Sequence, residues 1–261
     1  MNKNKKIELV PATLSEFDGV RFLHLDSIWV QGAMRIRKPQ QLELEYAQRM
    51  MAWMLWRPQD ELTAGHAVQL GLGAASLTRF THKVLRMRTT AVEINPSVID
   101  ACRIWFHLPD DDKRLTVANA DAAAWVLDDA HVQSVQVLNV DLYDHNAASP
   151  VLDDEAFYAG CHRVLDEGGV MTVNLFGRDA SFARTARRVA QVFGSDQVWS
   201  LTPTQEGNTI LVAARSVVVP ERDELERRAA NIESRFGLSA RKWLRMVRPL
   251  PQSVIAGRDT R

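Results

Sequence analysis

Between residues 66 and 216, short β-like runs alternate with helical runs, and this alternation limits the possible folds more than any other feature. The runs HAVQLGLG, TTAVEIN and RLTVANAD are each followed by a segment whose apolar residues recur at helical spacing. Strands that alternate with helices form a mostly parallel sheet with helices on both faces. The sequence therefore predicts a Rossmann-like α/β domain.

The segments on either side of this domain have a different character. Residues 7–36 hold three short runs rich in β-branched and aromatic residues, with turn chemistry at 17–19, which predicts a small antiparallel β unit. Residues 221–245 carry a charged helical pattern. The helix that it predicts packs either on the domain or on a partner subunit. We therefore divide the chain into an N-terminal β unit (1–40), a Rossmann-like domain (41–220) and a charged helical tail (221–261).

A helix is expected over residues 41–57, at the start of the domain. One of its faces is apolar or aromatic, which is typical of core packing rather than of a ligand site. The residues of that face are Leu42, Tyr46, Met50 and Trp53.

The overall charge is balanced, because lysine plus arginine and aspartate plus glutamate each total 32 residues. This balance gives no indication of a nucleic-acid partner or an anionic membrane surface. No apolar run approaches 18 residues, so no membrane span is expected. Cys102 and Cys161 lack the spacing of a metal site, and we interpret them as buried reduced thiols of a cytoplasmic protein.

A glycine motif follows the first strand of the alternating region. Gly71 permits a sharp turn after the strand, and Gly73 lets the backbone approach a ligand closely. Ser76 stands where a dinucleotide fingerprint has its third glycine, which favours a single nucleoside over NAD. NAD remains a competing ligand.

Acidic residues end the next two strands. Glu93 lies 22 positions after Gly71 and is suited to bind ribose hydroxyls, and Asp121 is suited to meet the adenine amino group. Open α/β sheets bind ligands at the carboxyl ends of their strands, so these acids and the glycine motif are expected to share one crevice. The alternative for either acid is a helix N-cap or an ordinary surface residue.

Two further aspartates, Asp141 and Asp144, follow the fourth β run. Such a pair suits a cationic amine, because one carboxylate attracts the ammonium group and the other takes a proton from the attacking nitrogen. An ordinary polar loop is the alternative reading of this spacing.

With these residues, the chain resembles the spermidine synthase (polyamine aminopropyltransferase) family over about residues 17–215. The resemblance is carried by the motifs VRFLHLDSIWVQG, VQLGLGAAS, AVEINPSVIDACRIWF, RLTVANADAAAWV and VDLYDHNAASPVLDDEAFY. It implies a fold of the class I S-adenosylmethionine-binding type. It also implies a cytoplasmic homodimer that needs no metal and no permanently bound cofactor.

The resemblance also implies an activity, namely transfer of an aminopropyl group from decarboxylated S-adenosylmethionine to putrescine or a related polyamine. Carried over by position, Asp141 is the catalytic base, and Asp144 and Tyr143 belong to the amine site. The nucleoside site is formed by Gln31, Gly71, Gly73, Glu93, Asp121 and Ala122.

The chain departs from the family pattern at the positions that recognise amines. The family aspartate that holds the donor's ammonium group is Ala74 here, and the proline of the catalytic loop is His145. In our alignment, the tyrosine and glutamate that face the polyamine fall at Gln48 and Met50. Because the donor site is altered, S-adenosylmethionine remains an alternative co-substrate. A methyltransferase and a non-catalytic nucleoside-binding relative therefore remain alternative functions.

Overall fold

The computed structural model describes residues 9–143, 154–176 and 180–256. In these ranges the chain forms a three-stranded antiparallel sheet in the order β1-β2-β3 and an eight-stranded sheet in the order β11-β9-β10-β8-β7-β4-β5-β6. The strands are β1 (Ala12–Phe17), β2 (Val20–Leu25), β3 (Val30–Arg35), β4 (His66–Leu70), β5 (Arg88–Glu93), β6 (Leu115–Asn119), β7 (Val135–Val140), β8 (Leu165–Phe176), β9 (Val198–Leu201), β10 (Asn208–Ala214) and β11 (Val247–Pro249).

The central strands of the large sheet, from β8 through β7, β4 and β5 to β6, are parallel. Strands β10, β9 and β11 extend this sheet antiparallel at one side. The strand order reverses between β4 and β7, because β5 and β6 lie on one side of β4 and β7 and β8 lie on the other. Ligands of open α/β sheets bind at such a reversal, outside the carboxyl ends of the strands. The fold class predicted from the alternating pattern is confirmed.

The helices cover both faces of this sheet. A fully buried 3₁₀ turn, Met51–Leu55, continues α1 into the core, and a π-helical turn, Phe80–Val84, continues α2. The helices are α1 (Glu45–Met50), α2 (Ser76–Arg79), α3 (Pro96–Trp105), α4 (Ala122–Leu127), α5 (Glu155–Val164), α6 (Ala180–Phe193), α7 (Arg222–Phe236), α8 (Ala240–Met246) and α9 (Gln252–Ile255).

The helical tail packs on the domain, which is one of the two placements that the sequence left open. Ile232 of α7 and Trp243 of α8 belong to the same buried cluster as the 3₁₀ turn after α1. Strand β11 then pairs with β9 at the edge of the sheet. The division into three segments stays a prediction, although 221–256 shares its core with the central domain.

The elements also differ from the sequence prediction near Gly168 and Gly169. In the run DEAFYAGCHRVLDEGG, the two glycines follow a helical pattern, which predicts a helix that they cap. In the structure α5 ends at Val164, and both glycines lie in β8. The chain becomes extended at Leu165, which is fully buried and pairs with Val135 of β7. Burial of this strand start therefore outweighs the glycine signal. None of the helices in the described part of the chain is long and apolar enough to cross a membrane.

Candidate active site

A crevice opens where the strand order reverses, between the carboxyl ends of β4 and β7 and the strand β3. Polar residues of five different segments line it together with Ala74 and several apolar neighbours. These polar residues are Gln31, Tyr46, Gln69, Ser76 and Asp141.

The glycine motif forms the floor of this crevice. Gly71 has a φ of +84°, and a Cβ atom at this position would lie 2.0 Å from the carbonyl oxygen of Asp141. Gly73 has a φ of +49°, and its Cβ would lie 2.7 Å from the carbonyl oxygen of Gln31. Both positions therefore require glycine. The close approach seen here brings the backbones of Asp141 and Gln31 to the glycine loop.

Glu93 lies at the end of β5 and holds the glycine loop in place. Its Oε2 accepts a hydrogen bond from the backbone N–H of Leu72, and its Oε1 accepts one from Asn95, both at 2.9 Å. Burial raises the pKa of this carboxyl, and the hydrogen bonds from backbone N–H groups oppose that rise. Each carboxylate oxygen has a second lone pair that is suited to a ribose hydroxyl.

Asp121 caps helix α4. Its Oδ1 accepts hydrogen bonds from the N–H groups of Ala123 at 2.7 Å and Ala124 at 3.3 Å. This oxygen therefore has the helix N-cap role that was the alternative for Asp121. The backbone N–H of Ala120 donates to the carbonyl oxygen of Glu93, which holds the segment leading to Asp121 beside the end of β5. The predicted contact of Asp121 with adenine stays a prediction. Ala122 is buried in the core at the start of α4.

Asp141 follows β7 directly and presents a partly buried carboxylate to the crevice. Asn174 of β8 donates a hydrogen bond from its Nδ2 to Oδ1 of Asp141 at 2.8 Å, and the hydroxyl of Tyr46 donates another. Burial raises the pKa of Asp141 to about 6, against the opposing effect of these two hydrogen bonds. A carboxylate with this pKa is ionised at neutral pH and is suited to accept a proton.

Tyr143, in the segment after β7, hydrogen-bonds to the end of β8 beside Asp141. Its hydroxyl donates to the carbonyl oxygen of Asn174 at 2.8 Å and accepts from the N–H of Phe176 at 2.6 Å. Its ring meets the ring of Phe176 edge to face. The predicted contact of Tyr143 with substrate stays a prediction. Asp144 and His145 lie outside the described residues.

Helix α1 carries Gln48 and Met50, the two residues that we aligned with the polyamine-facing positions of the family. Met50 is fully buried, and the side-chain amide of Gln48 donates to the carbonyl oxygen of Leu42, whereas the hydroxyl of Tyr46 reaches Asp141. Neither Gln48 nor Met50 lines the crevice, whereas Tyr46 does. Which residues match the family tyrosine and glutamate stays a prediction. The pattern assigned Tyr46 to a core stripe, because helical phase alone does not distinguish an aromatic ring in the core from one beside a crevice.

Three buried polar residues near the crevice escaped the sequence prediction. Asn174 and Asn208 are buried amides in mostly apolar runs, which is a signal that could have identified them. Arg79 is 1% exposed, and its guanidinium donates to the carbonyl oxygens of Pro39 and Ala74. These contacts tie the glycine loop to the segment before α1.

Curated relatives match most of this chain. The chain is 31% identical to a polyamine aminopropyltransferase of Neisseria meningitidis over 233 residues, covering 88% of this chain and 86% of that protein. It is 32% identical to a polyamine aminopropyltransferase of Chromobacterium violaceum over 235 residues, covering 89% and 87%.

Solved structures share the fold at lower identity. A probable spermidine synthase from Corynebacterium glutamicum matches with a TM-score of 0.69 and 20% identity, over 85% of this chain and 83% of that one. Human methyltransferase-like protein 13 matches with a TM-score of 0.64 and 21% identity, over 82% and 99%. The family profile for the spermine/spermidine synthase domain matches residues 75–221. The chain therefore belongs to the spermine/spermidine synthase family.

Proposed function

We propose that this protein is a transferase that moves an aminopropyl group from decarboxylated S-adenosylmethionine to a polyamine such as putrescine. The observation that carries the proposal is the carboxylate of Asp141, which faces the crevice beside the glycine loop and has a pKa raised to about 6. Membership of the spermine/spermidine synthase family supports it.

The proposed reaction needs a base at the position of Asp141. An amine nitrogen attacks only when it carries a free electron pair. In the step, a C–N bond forms at the carbon next to the sulfonium and the C–S bond breaks. The electron pair of the broken bond stays on sulfur, which leaves neutral methylthioadenosine, and the proton lost by the nitrogen goes to a carboxylate oxygen of Asp141.

In this proposal the nucleoside part of the donor binds beside the glycine loop. Gly71 and Gly73 provide a close approach to the backbone, with Gln31 across the crevice, and Glu93 binds the ribose hydroxyls. Asp121 and the start of α4 at Ala122 accommodate the adenine. The proposal is supported by the hydrogen bond from Leu72 to Glu93, which joins the ribose-binding acid to the glycine loop.

The remaining parts of the proposal follow from the family. Asp144 and Tyr143 belong to the amine site, and no cofactor is bound permanently. The protein acts in the cytoplasm as a homodimer on a small-molecule amine, with no nucleic-acid or membrane partner.

The decisive experiment is steady-state kinetics on a panel of diamines, with methylthioadenosine release as the readout. We expect Asp141→Asn to lower turnover by about 10²–10⁴-fold, the usual contribution of a positioned base, with methylthioadenosine affinity unchanged. Asp128→Asn, at an exposed helix cap, is the matched control. Full turnover in Asp141→Asn would refute the assignment of the base.

A methyltransferase is the second candidate, and one observation favours it. Ala74 supplies no carboxylate to the crevice, and a neutral residue there does not repel the carboxylate of S-adenosylmethionine. The same assays, run with a methyl-labelled donor, decide between the two functions. Label transfer without methylthioadenosine release would replace the first proposal by the second.

A further inference from the structure

Behind Asp141 lies a pair of buried side-chain amides from two neighbouring strands. Asn174 of β8 is 3% exposed, and Asn208 of β10 is 8% exposed. The Nδ2 of Asn208 donates to Oδ1 of Asn174 at 3.0 Å, and the Nδ2 of Asn174 donates to Oδ1 of Asp141 at 2.8 Å. The two asparagines therefore form a chain of hydrogen bonds that ends on the carboxylate.

The direction of this chain is set by the carboxylate. An ionised Asp141 only accepts hydrogen bonds, so Asn174 must turn its NH₂ group toward it. The amide oxygen of Asn174 then faces Asn208, which must in turn present its own NH₂ group. If Asn208 offered no donor, the Asn174 amide could rotate and bring its oxygen toward Asp141, where two acceptors would repel each other.

The backbone around both amides is held firmly. The N–H of Asn208 donates to Oγ1 of Thr204 at 3.1 Å, and the N–H of Thr204 donates to the carbonyl oxygen of Asn208 at 2.8 Å. The carbonyl oxygen of Asn174 accepts the hydroxyl of Tyr143. With the main chain held at both residues, rotation of the Asn174 amide is the remaining freedom, and the Asn208 side chain opposes it.

Among the described residues, the titratable groups that face Asp141 are two tyrosines, Tyr46 from α1 and Tyr143 from its own segment. Tyr46 donates to the carboxylate directly, and the hydroxyl of Tyr143 is engaged with Asn174 and Phe176. Asn174 is therefore the donor whose orientation depends on a further residue.

We propose that Asn208 is a positioning residue, which fixes the orientation of the Asn174 amide and so keeps a hydrogen-bond donor on the Asp141 carboxylate. The proposal rests on the proposed function, in which Asp141 is the base. Asn208 touches neither substrate nor Asp141 in this role, and it acts by favouring the ionised form of the base.

The test is the pH dependence of kcat/KM in Asn208→Leu, a neutral substitution of similar size. We expect the acidic limb of the profile to move upward by about one pH unit, because a hydrogen bond that favours the carboxylate is weakened. Donor affinity should stay within about twofold, since the nucleoside site is untouched. Asn231→Leu is the matched control, because the Nδ2 of Asn231 makes the same kind of amide contact, 2.8 Å from Oε1 of Gln59, far along the chain on α7.

A double-mutant cycle separates positioning from general disturbance of the fold. In an Asn174→Leu background, Asn208→Leu should produce no further movement of the acidic limb, because the residue through which it acts is gone. If Asn208→Leu does not fold, Asn208→Ala takes its place with the same expected direction. An acidic limb that stays within 0.2 units of wild type in a folded Asn208 variant would overturn the proposal.

Failure of this inference is distinguishable from failure of the proposed function. If Asp141→Asn retains turnover, Asp141 is not the base and both proposals fall. If Asp141→Asn loses turnover while the limb does not move in the Asn208 variants, only the positioning role of Asn208 is wrong.

Discussion

Ionisation of the Asp141 carboxylate should lower the stability of the free protein, and Asp141→Asn should remove that penalty. The pKa of Asp141 is raised from 3.8 to about 6 in the folded chain, chiefly by burial. Between these two pH values, the folded state holds a proton that the unfolded state has lost. The free energy of unfolding therefore falls as the pH rises toward the folded pKa, and it levels off above it.

The size of this effect follows from the two pKa values. The full shift corresponds to about 3 kcal/mol, at about 1.4 kcal/mol for each pH unit. About half of this loss, roughly 1–2 kcal/mol, falls between pH 5 and pH 8, and the rest falls below pH 5. An asparagine at position 141 does not titrate, so the variant lacks this loss.

The assay is urea unfolding, followed by tryptophan fluorescence at half-unit steps from pH 5 to pH 8. The quantity to compare is the difference in the free energy of unfolding between Asp141→Asn and wild type. We expect this difference to move by roughly 1–2 kcal/mol in favour of the variant as the pH rises. Asp128→Asn controls for the loss of an aspartate as such. Curves that run parallel for wild type and Asp141→Asn would refute the reasoning, because a buried ionising carboxylate must leave this dependence.

Two binding predictions concern the donor, and calorimetry measures both. Glu93→Gln should weaken methylthioadenosine binding by about 1–3 kcal/mol, because the amide replaces one charged acceptor beside the Leu72 N–H. Unchanged affinity would remove Glu93 from the nucleoside site. Ala74→Asp should raise the affinity for decarboxylated S-adenosylmethionine relative to S-adenosylmethionine by about tenfold, the effect of about 1.4 kcal/mol from one new charge pair. A wild-type preference of about 100-fold for the decarboxylated donor would show that another group already binds its ammonium.

The parallel sheet was predictable because the alternation of strands and helices repeats several times along the chain, so that one misread segment does not change the fold class. The strands β9 and β11 were not identified, because they contain four and three residues and pair only through contacts distant in sequence. The end of α5 was misplaced for a similar reason. A local glycine pair indicated a cap, whereas the buried pairing of Leu165 with Val135 starts the strand.

At the site, the sequence identified residues better than it identified their contacts. The motif predicted that Gly71 permits a turn, and its φ of +84° agrees. The pattern did not show that the close neighbour of Gly71 is the carbonyl of Asp141, since that contact joins segments 70 residues apart. The side chain of Asn174 was missed, although a polar residue in a buried apolar strand requires a partner.

The pKa of about 6 at Asp141 reflects two opposing effects that the proposed chemistry needs together. Burial makes the carboxylate a better proton acceptor, but it also favours the protonated form, which cannot act as a base. The hydrogen bonds from Asn174 and Tyr46 lower the pKa and so favour the ionised form. The stability of Asp141→Asn measures the net effect of burial and hydrogen bonding on the pKa. The substitution Asn208→Leu changes only the hydrogen bonding, and the pH profile of kcat/KM reports that change. A base assembled in this way should therefore respond in both measurements, while a merely buried aspartate should respond only in the first.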